Sequence, residues 1–278
     1  MGIKLDGKKV AEKFRNQIKS FVDHRVATGL KPPCIANILI GNDGGSLYYV
    51  NNQNKLCEKL GVRVRSIHFD EHITEEEVED LIIKLNEDHE IDGIILQLPL
   101  PKHLDEDKIT SLISEKKDID GLSSINIGKL YKGEKCFIPC TARGIIELIK
   151  STGINVEGKN AVVVGRSNIV GKPVAQLLLN ENATVTICHS KTTNLKEICS
   201  NADILVSAVG KPGFITDEYI KRDAIVIDVG TTSVNRKLAG DVRFDEVIEK
   251  ASYTTPVPGG VGAMTTTMLI KNLCEGLK

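Results

Sequence analysis

The chain has 278 residues, 41% hydrophobic and 26% charged, with 36 basic against 37 acidic side chains and a formal net charge of -1. That is ordinary globular composition, long enough for one large α/β domain or two smaller ones, and it excludes a disordered or fibrous protein. The balanced charge offers no electrostatic footprint for nucleic acid or an anionic membrane, so a small-molecule partner is expected.

The N-terminal "MGIKLDGKKVAEKFRNQIKSFVDH" spaces apolar residues among charges as an amphipathic helix does, and it has no apolar targeting core. Met-Gly lacks the Ser or Thr that a myristoylation signal requires, and no apolar run reaches bilayer length. A soluble, cytoplasmic protein is expected. From Cys34, "CIANILIG" predicts a strand, residues 46–60 a helix and "VRVRSIHF" a strand. "TEEEVEDLIIKLNED" predicts a helix capped by Thr74 with an acidic first turn, "GIILQLPLP" a strand, and "DEDKITSLIS" a helix. Residues 115–140 lose this rhythm and, being polar with several glycines, predict a connecting segment that lines a cleft. Alternation resumes through "TARGIIELIKSTG", "NAVVVG", "GKPVAQLLLNE", "ATVTICHS", "LKEICSNA", "DILVSAVG" and "AIVIDVG". Two α/β domains, each a parallel sheet wound by helices, are the expected fold class. "GAMTTTMLIKNLCEGLK" ends the chain as an amphipathic helix.

The cysteines at 34, 57, 136, 140, 188, 199 and 274 are odd in number and contain no CxxC pair, which predicts reduced thiols. Cys136 and Cys140 are spaced CxxxC without a second cluster, so no metal site is expected.

"AVVVGRSNIVGKPVAQLL" reads as a strand, a tight turn with Gly165 and Gly171, and a helix opening near Pro173. Glycines there let a pyrophosphate approach backbone N–H groups at the helix N-terminus, where a Cβ would obstruct it. The spacing GxSxxxG differs from GxGxxG, and an ordinary βα turn is the plain alternative. The next strand ends in "CHSKT", where NAD-binding folds place an acidic residue for the ribose 2′-hydroxyl. Ser190 and Lys191 stand there instead, and with Arg166 they suit a 2′-phosphate, which favours NADP over NAD. The alternative for Arg166 and Lys191 is two solvated surface charges.

With "YYVNNQNK", "ILQLPLP", "KDIDG", "PCTARGI", "VVVGRSNIVGKPVA" and "YTTPVPGGVGAMT" in this order, the chain resembles the methylenetetrahydrofolate dehydrogenase/cyclohydrolase family over nearly its whole length. The resemblance implies an N-terminal folate and catalytic domain over 1–140, an NADP-binding Rossmann domain over 141–261, and a final helix, 262–278, that returns to the first. It further implies a folate cleft between the domains and a homodimer. The implied reactions are NADP-dependent oxidation of 5,10-methylenetetrahydrofolate to the methenyl form, then hydrolysis to 10-formyltetrahydrofolate. Tyr49 resembles the tyrosine that stacks on the pterin, Gln97 the partner of a catalytic lysine, and Asp120 the carboxylate that grips the pterin edge. An aromatic face suits a flat heterocycle, and a carboxylate suits the paired N–H donors of an aminopyrimidine. Leu98, Pro258, Gly259 and Gly260 are implied beside the substrate. Gly165, Arg166, Ser167, Gly171, Ser190, Lys191 and Thr231 are implied around the cofactor. As plain alternatives, Tyr49 is a half-buried helix residue, Gln97 a polar cap, Asp120 a turn residue and "PVPGGVG" an interdomain turn.

In that family the helix reads Y-V-x-x-K-x-K, whereas here Tyr49 is followed by Gln53, with Lys55 two positions beyond and on another face. A desolvated lysine can carry a proton near neutrality, and glutamine cannot. Retained dehydrogenation with weak or absent cyclohydrolase activity is therefore expected. The alternatives are a fully bifunctional enzyme, in which a water, Asp120 or another group compensates, and a nucleotide-binding protein without chemistry. A hydroxy-acid dehydrogenase would want a catalytic pair in the second domain, where His189 reads as structural. Leu122, Ser123 and Ser124 in place of F-H-P, Thr231 and Thr232 in place of isoleucine and asparagine, and Ala263 in place of proline also depart from the family pattern.

Overall fold

Local signals in the sequence become an alternating succession of strands and helices in a computed structural model, which describes residues 1–234 and 237–278 apart from the Tyr48 side chain. The first part of the chain forms β1 (Ile3–Lys4), α1 (Gly7–Ala27), β2 (Cys34–Ile40), α2 (Gly44–Leu60), β3 (Arg63–Phe69), α3 (Glu75–Glu87), β4 (Gly93–Leu96), α4 (Glu106–Ser111) and α5 (Ser124–Lys132). There follow α6 (Cys140–Ser151), β5 (Asn160–Val164), α7 (Gly171–Asn180), β6 (Thr184–Cys188), α8 (Leu195–Cys199), β7 (Ile204–Ser207) and β8 (Ile225–Asp228). The remainder is β9 (Thr232–Val234), β10 (Lys237–Ala239), α9 (Phe244–Val247), β11 (Tyr253–Thr254) and α10 (Val261–Gly276). The chain divides into two units, one of residues 14–138 with 269–278, the other of 1–13 with 139–268.

In the first of these units a parallel sheet is ordered β3-β2-β4. β2 is central and buried along its whole length. Its even residues Cys34, Ala36, Ile38 and Ile40 pack with Val78, Ile82 and Leu85 of α3 and with Ile94 and Leu96 of β4. Strand side chains alternate, so Ile35, Asn37 and Leu39 face the opposite side, where Asn37 meets α2. The chain leaves β2 for β3 on one side and returns to β4 on the other, which makes the C-terminal end of β2 a topological switch point. The Asp43 carboxylate accepts from Ser46 N at 2.8 Å and starts α2, and Gly61, at φ 79°, ends it. Thr74 and Glu77 form the capping box of α3.

The segment expected to be irregular over 115–140 contains α5. Ser123 caps it through Asn126 N, Asn126 and Leu130 bury one face, and Gly133, in the left-handed region, stops it. Gly128 hid this helix in the sequence; a Cβ there would meet nothing within 4 Å, so the residue breaks the pattern without a packing role.

In the other unit the parallel sheet is ordered β1-β11-β8-β7-β5-β6, around a core that includes Val162, Val164, Leu205 and Val226. The chain runs from β5 to β6 on one side and back to β7 on the other, a second switch point. Ile3 pairs with Tyr253, and residues 1–13 group with this sheet, whereas the resemblance implies a first domain over 1–140. β1 is only two residues long, too short to register as a strand. The antiparallel β9 and β10 are likewise absent from the expected elements. Among the described residues no helix is long and apolar enough to cross a membrane.

Candidate active site

Of the residues expected on the substrate side, Tyr49, Gln53, Gln97, Leu98 and Asp120 belong to one unit, and Pro258, Gly259 and Gly260 to the other. Tyr49 and Gln53 stand one turn apart on α2. Tyr49 is 37% exposed, whereas Gln53 is 8% exposed. Gln97 directly follows β4, its backbone N–H donating to Ile38 O at 2.9 Å. By strand alternation its side chain lies on the face that Asn37 and α2 share. Its Oε1 is buried and has no hydrogen-bond partner in the described structure. Lys55, two positions beyond Gln53, is exposed.

Sequence reasoning did not single out Asn37. This residue is 2% exposed in the middle of an apolar strand, and its Nδ2 donates to Gln53 Oε1 at 3.1 Å and to Asn54 Oδ1 at 3.3 Å. Asn54 Nδ2 in turn donates to Ser66 Oγ of β3 at 3.0 Å. Asn37 Oδ1 is left buried without a partner, an omission that typically costs about 1–3 kcal/mol. The signal available in the sequence was parity: a lone amide at an odd position of "CIANILI" points at the helix that carries Gln53.

Asp118 was also missed, its neighbour Asp120 having drawn the functional role. The Asp118 carboxylate is 2% exposed and gathers four donors. Oδ1 accepts from Gly121 N at 3.0 Å and Leu122 N at 3.2 Å; Oδ2 accepts from Ser123 N and from Asn126 Nδ2, both at 2.8 Å. Asp118 bridges in parallel to Ile94, so the segment bearing Asp120 runs along the β4 edge. Asn272 of α10 fixes it further by donating to Ile119 O and Ile138 O, both at 2.9 Å. The departures at Leu122, Ser123 and Ser124 thus fall where the chain folds around Asp118 and enters α5.

Gly165, Arg166, Ser167, Gly171, Ser190, Lys191 and Thr231 belong to the other unit, as do Pro258, Gly259 and Gly260. Gly165 and Gly171 are required by the turn itself before any ligand is considered. Gly165 has φ 133°, and a Cβ on it would lie 2.4 Å from Ala208 O. A Cβ on Gly171 would lie 2.3 Å from Gly165 O. Ser167 Oγ closes the turn by accepting from Val170 N and Gly171 N at 3.2 and 3.3 Å, and α7 opens at Gly171, two residues before Pro173. Gly165 N donates to Cys188 O at 2.9 Å, so this turn adjoins the one that follows β6. Arg166, Ser190 and Lys191 are exposed on these neighbouring strand ends. Two cations and a hydroxyl beside a close-packed glycine turn fit a phosphate-bearing dinucleotide. His189 accepts at Nδ1 from Lys191 N at 3.1 Å and so shapes this turn.

Thr231, exposed, enters β9 at the same C-terminal edge of the sheet. Two buried carboxylates hold that region. Asp228 accepts from Gly230 N, Asp241 N and Val242 N, each at 2.9 Å. Asp241 accepts from Ser207 Oγ, Val209 N and Lys211 N. Burial pushes the Asp228 carboxyl up to about 6 despite its backbone donors. Gly259 O accepts from Gly7 N at 2.9 Å, which seats the 258–260 loop against the start of α1. Burial also pushes the Cys57, Cys199 and Cys274 thiols up to about 12, leaving them protonated and unreactive.

Residues 5–120 match the family model for the tetrahydrofolate dehydrogenase/cyclohydrolase catalytic domain, and residues 139–278 match that for the same family's NAD(P)-binding domain. The bifunctional protein FolD of Clostridium novyi is 71% identical over 278 residues, which cover 100% of both chains. The bifunctional methylenetetrahydrofolate dehydrogenase/cyclohydrolase FolD of Campylobacter jejuni has a similar crystal structure, with a TM-score of 0.97 at 41% identity over 99% of this chain and 98% of that one. The FolD enzyme of Trypanosoma brucei, complexed with NADP cofactor and an inhibitor, gives a TM-score of 0.94 at 39% identity over 98% and 96%. On this evidence the chain belongs to the tetrahydrofolate dehydrogenase/cyclohydrolase family.

Proposed function

We propose that this chain oxidises 5,10-methylenetetrahydrofolate to the methenyl form with NADP, and that it opens the methenyl bridge with water much more slowly. The observation that carries the second half is the neutral amide of Gln53, 8% exposed and hydrogen-bonded to another neutral amide, at the position where the family pattern has an ionisable amine.

The two half-reactions make different demands on that position. Oxidation removes a hydride from the bridge carbon and leaves a delocalised cation, with no proton to move. NADP, when bound, supplies the hydride acceptor. Tyr49 offers an aromatic face, Asp120 a carboxylate for the aminopyrimidine edge, and Gln97 an unmet carbonyl, so orientation is provided without an acid or base. Hydrolysis adds water to the bridge carbon, loses a proton from that water and protonates a ring nitrogen as the bridge opens. Gln53 can donate and accept hydrogen bonds there but cannot exchange a proton. Assistance of that kind is commonly worth about 10²- to 10⁴-fold in rate.

Exposed Arg166 and Lys191, with Ser190, support NADP over NAD. The resemblance supports a homodimer, which sedimentation equilibrium of the purified protein tests. A second reading has a specific observation in its favour: a relative identical at 71% of positions is called bifunctional, which supports full hydrolytic activity on this chain as well. Following NADPH and methenyl absorbance together during oxidation separates the two. Methenyl product should accumulate nearly in step with NADPH on the first reading, whereas a low, steady methenyl level with continuing NADPH formation supports the second.

A further inference from the structure

We propose that Asn37 is a positioning residue for Gln53, fixing which end of the Gln53 amide is presented for substrate; this rests on the reading that Gln53 stands in the active site. A buried asparagine in a central apolar strand is unfavourable for packing alone, and this one leaves its own Oδ1 unmet. Both Nδ2 hydrogens are committed to the carbonyls of successive α2 residues, Gln53 Oε1 at 3.1 Å and Asn54 Oδ1 at 3.3 Å. Turning all three amides around would place Asn37 Oδ1 between two NH₂ groups and bury the Asn37 N–H donors without acceptors. One unmet carbonyl is the less costly arrangement.

With its oxygen held, Gln53 keeps its NH₂ as the group free to meet a ligand among the described residues. The two nitrogens flanking the methylene bridge are tertiary, with lone pairs and no N–H. An N–H donor at position 53 is complementary to them, whereas a carbonyl oxygen would face them lone pair to lone pair. Asn37 thus makes a neutral residue a reliable donor, a role that an unrestrained glutamine, free to rotate about its last torsion, fills only part of the time.

The test is a double-mutant cycle on methylenetetrahydrofolate oxidation with the full-length enzyme, using Asn37→Val, Gln53→Ala and the pair. Asn37→Val removes the unmet Asn37 Oδ1 but takes the donor from Gln53 Oε1 and from the part-buried Asn54 Oδ1, so Tm should fall only modestly and the NADP KM should be unchanged. The KM for methylenetetrahydrofolate should rise about 3- to 10-fold, the range that one neutral hydrogen bond carries, without a matching fall in kcat, because hydride loss draws the same lone pairs into the delocalised cation. In the Gln53→Ala background the same change should have no further effect. Asn37→Thr, which keeps a hydroxyl donor on the strand, should fall between wild type and Asn37→Val, and it serves in place of Asn37→Val if that variant does not fold. An unchanged KM for methylenetetrahydrofolate in the Asn37 variants, or a rise that simply compounds with that of Gln53→Ala, overturns the proposal. A Gln53→Ala enzyme with both half-reactions unaltered instead removes the site assignment on which it rests.

Discussion

Replacing Gln53 by lysine puts an ionisable amine one turn beyond Tyr49, in a position only 8% exposed. Desolvation disfavours the charged ammonium there. Among the described residues the groups hydrogen-bonded to Gln53 and Asn54, namely Asn37 and Ser66, are uncharged and do not restore it. The amine is therefore expected to titrate below its ordinary value, towards the range useful for proton transfer at neutral pH. Asn37 accommodates it by turning its amide, which brings the unmet Oδ1 to a place now 3.1 Å from the residue 53 side chain. General acid–base assistance of about 10²- to 10⁴-fold corresponds to roughly 3–5 kcal/mol off the hydrolytic barrier. Gln53→Lys should raise methenyl hydrolysis by that factor, with a pH dependence that the wild type lacks, and change dehydrogenation far less. Loss of methenyl absorbance without NADP, measured from about pH 6 to 9 against the spontaneous rate, reads this directly. A folded, NADP-binding Gln53→Lys protein that hydrolyses no faster than wild type at any of these pH values refutes the assignment of proton transfer to position 53.

Arg166→Ala should raise the KM for NADP by about 10- to 100-fold, the worth of a charged hydrogen bond, while leaving that for NAD nearly unchanged; equal effects on both cofactors would contradict the 2′-phosphate assignment. Asp118→Asn turns an NH₂ group on two of its four donors and should cost about 1–3 kcal/mol of stability in urea titrations. It should also raise the KM for methylenetetrahydrofolate by loosening Asp120, and an unaltered KM would show that Asp118 only stabilises the fold. Gly171→Ala forces a Cβ to within 2.3 Å of Gly165 O, so a stability loss of about 1–3 kcal/mol with weakened NADP binding by fluorescence titration is expected. For Asp228, whose carboxyl is raised from 3.8 to about 6 by burial, the folded state binds the proton more tightly than the unfolded one, so its contribution of roughly 3 kcal/mol at most is full below pH 3.8 and lost as pH rises through 6. Asp228→Asn should flatten that limb of the stability profile, and parallel slopes in the two proteins would count against a raised pKa.

Much of the architecture was legible because each element carries its own local signal. β2 reads as a strand from its apolar run, α3 from Thr74 and Glu77, and the β5 turn from Gly165 and Gly171. The missed elements are those with a tertiary cause or an interrupted local pattern. β1 exists because Ile3 finds Tyr253 about 250 residues away, and the α5 pattern is interrupted by a glycine that costs helix propensity. The site behaved in the same way. Tyr49, Gln53, Gln97 and Asp120 stand out through the family resemblance, but Asn37, which bonds Gln53, and Asp118, which gathers the loop just after Asp120, are recognisable only when strand parity and a folded loop bring their partners close. The glycines show a third case, singled out for a ligand yet already demanded by backbone packing inside the turn.

A direct comparison is of two rates on one preparation of unaltered enzyme: NADPH formation from methylenetetrahydrofolate, and conversion of added methenyltetrahydrofolate to the formyl compound above the uncatalysed background. An uncharged side chain at position 53 predicts that the second rate falls short of the first by about 10²-fold or more. Comparable rates would contradict that claim and establish that another group on this chain moves the proton.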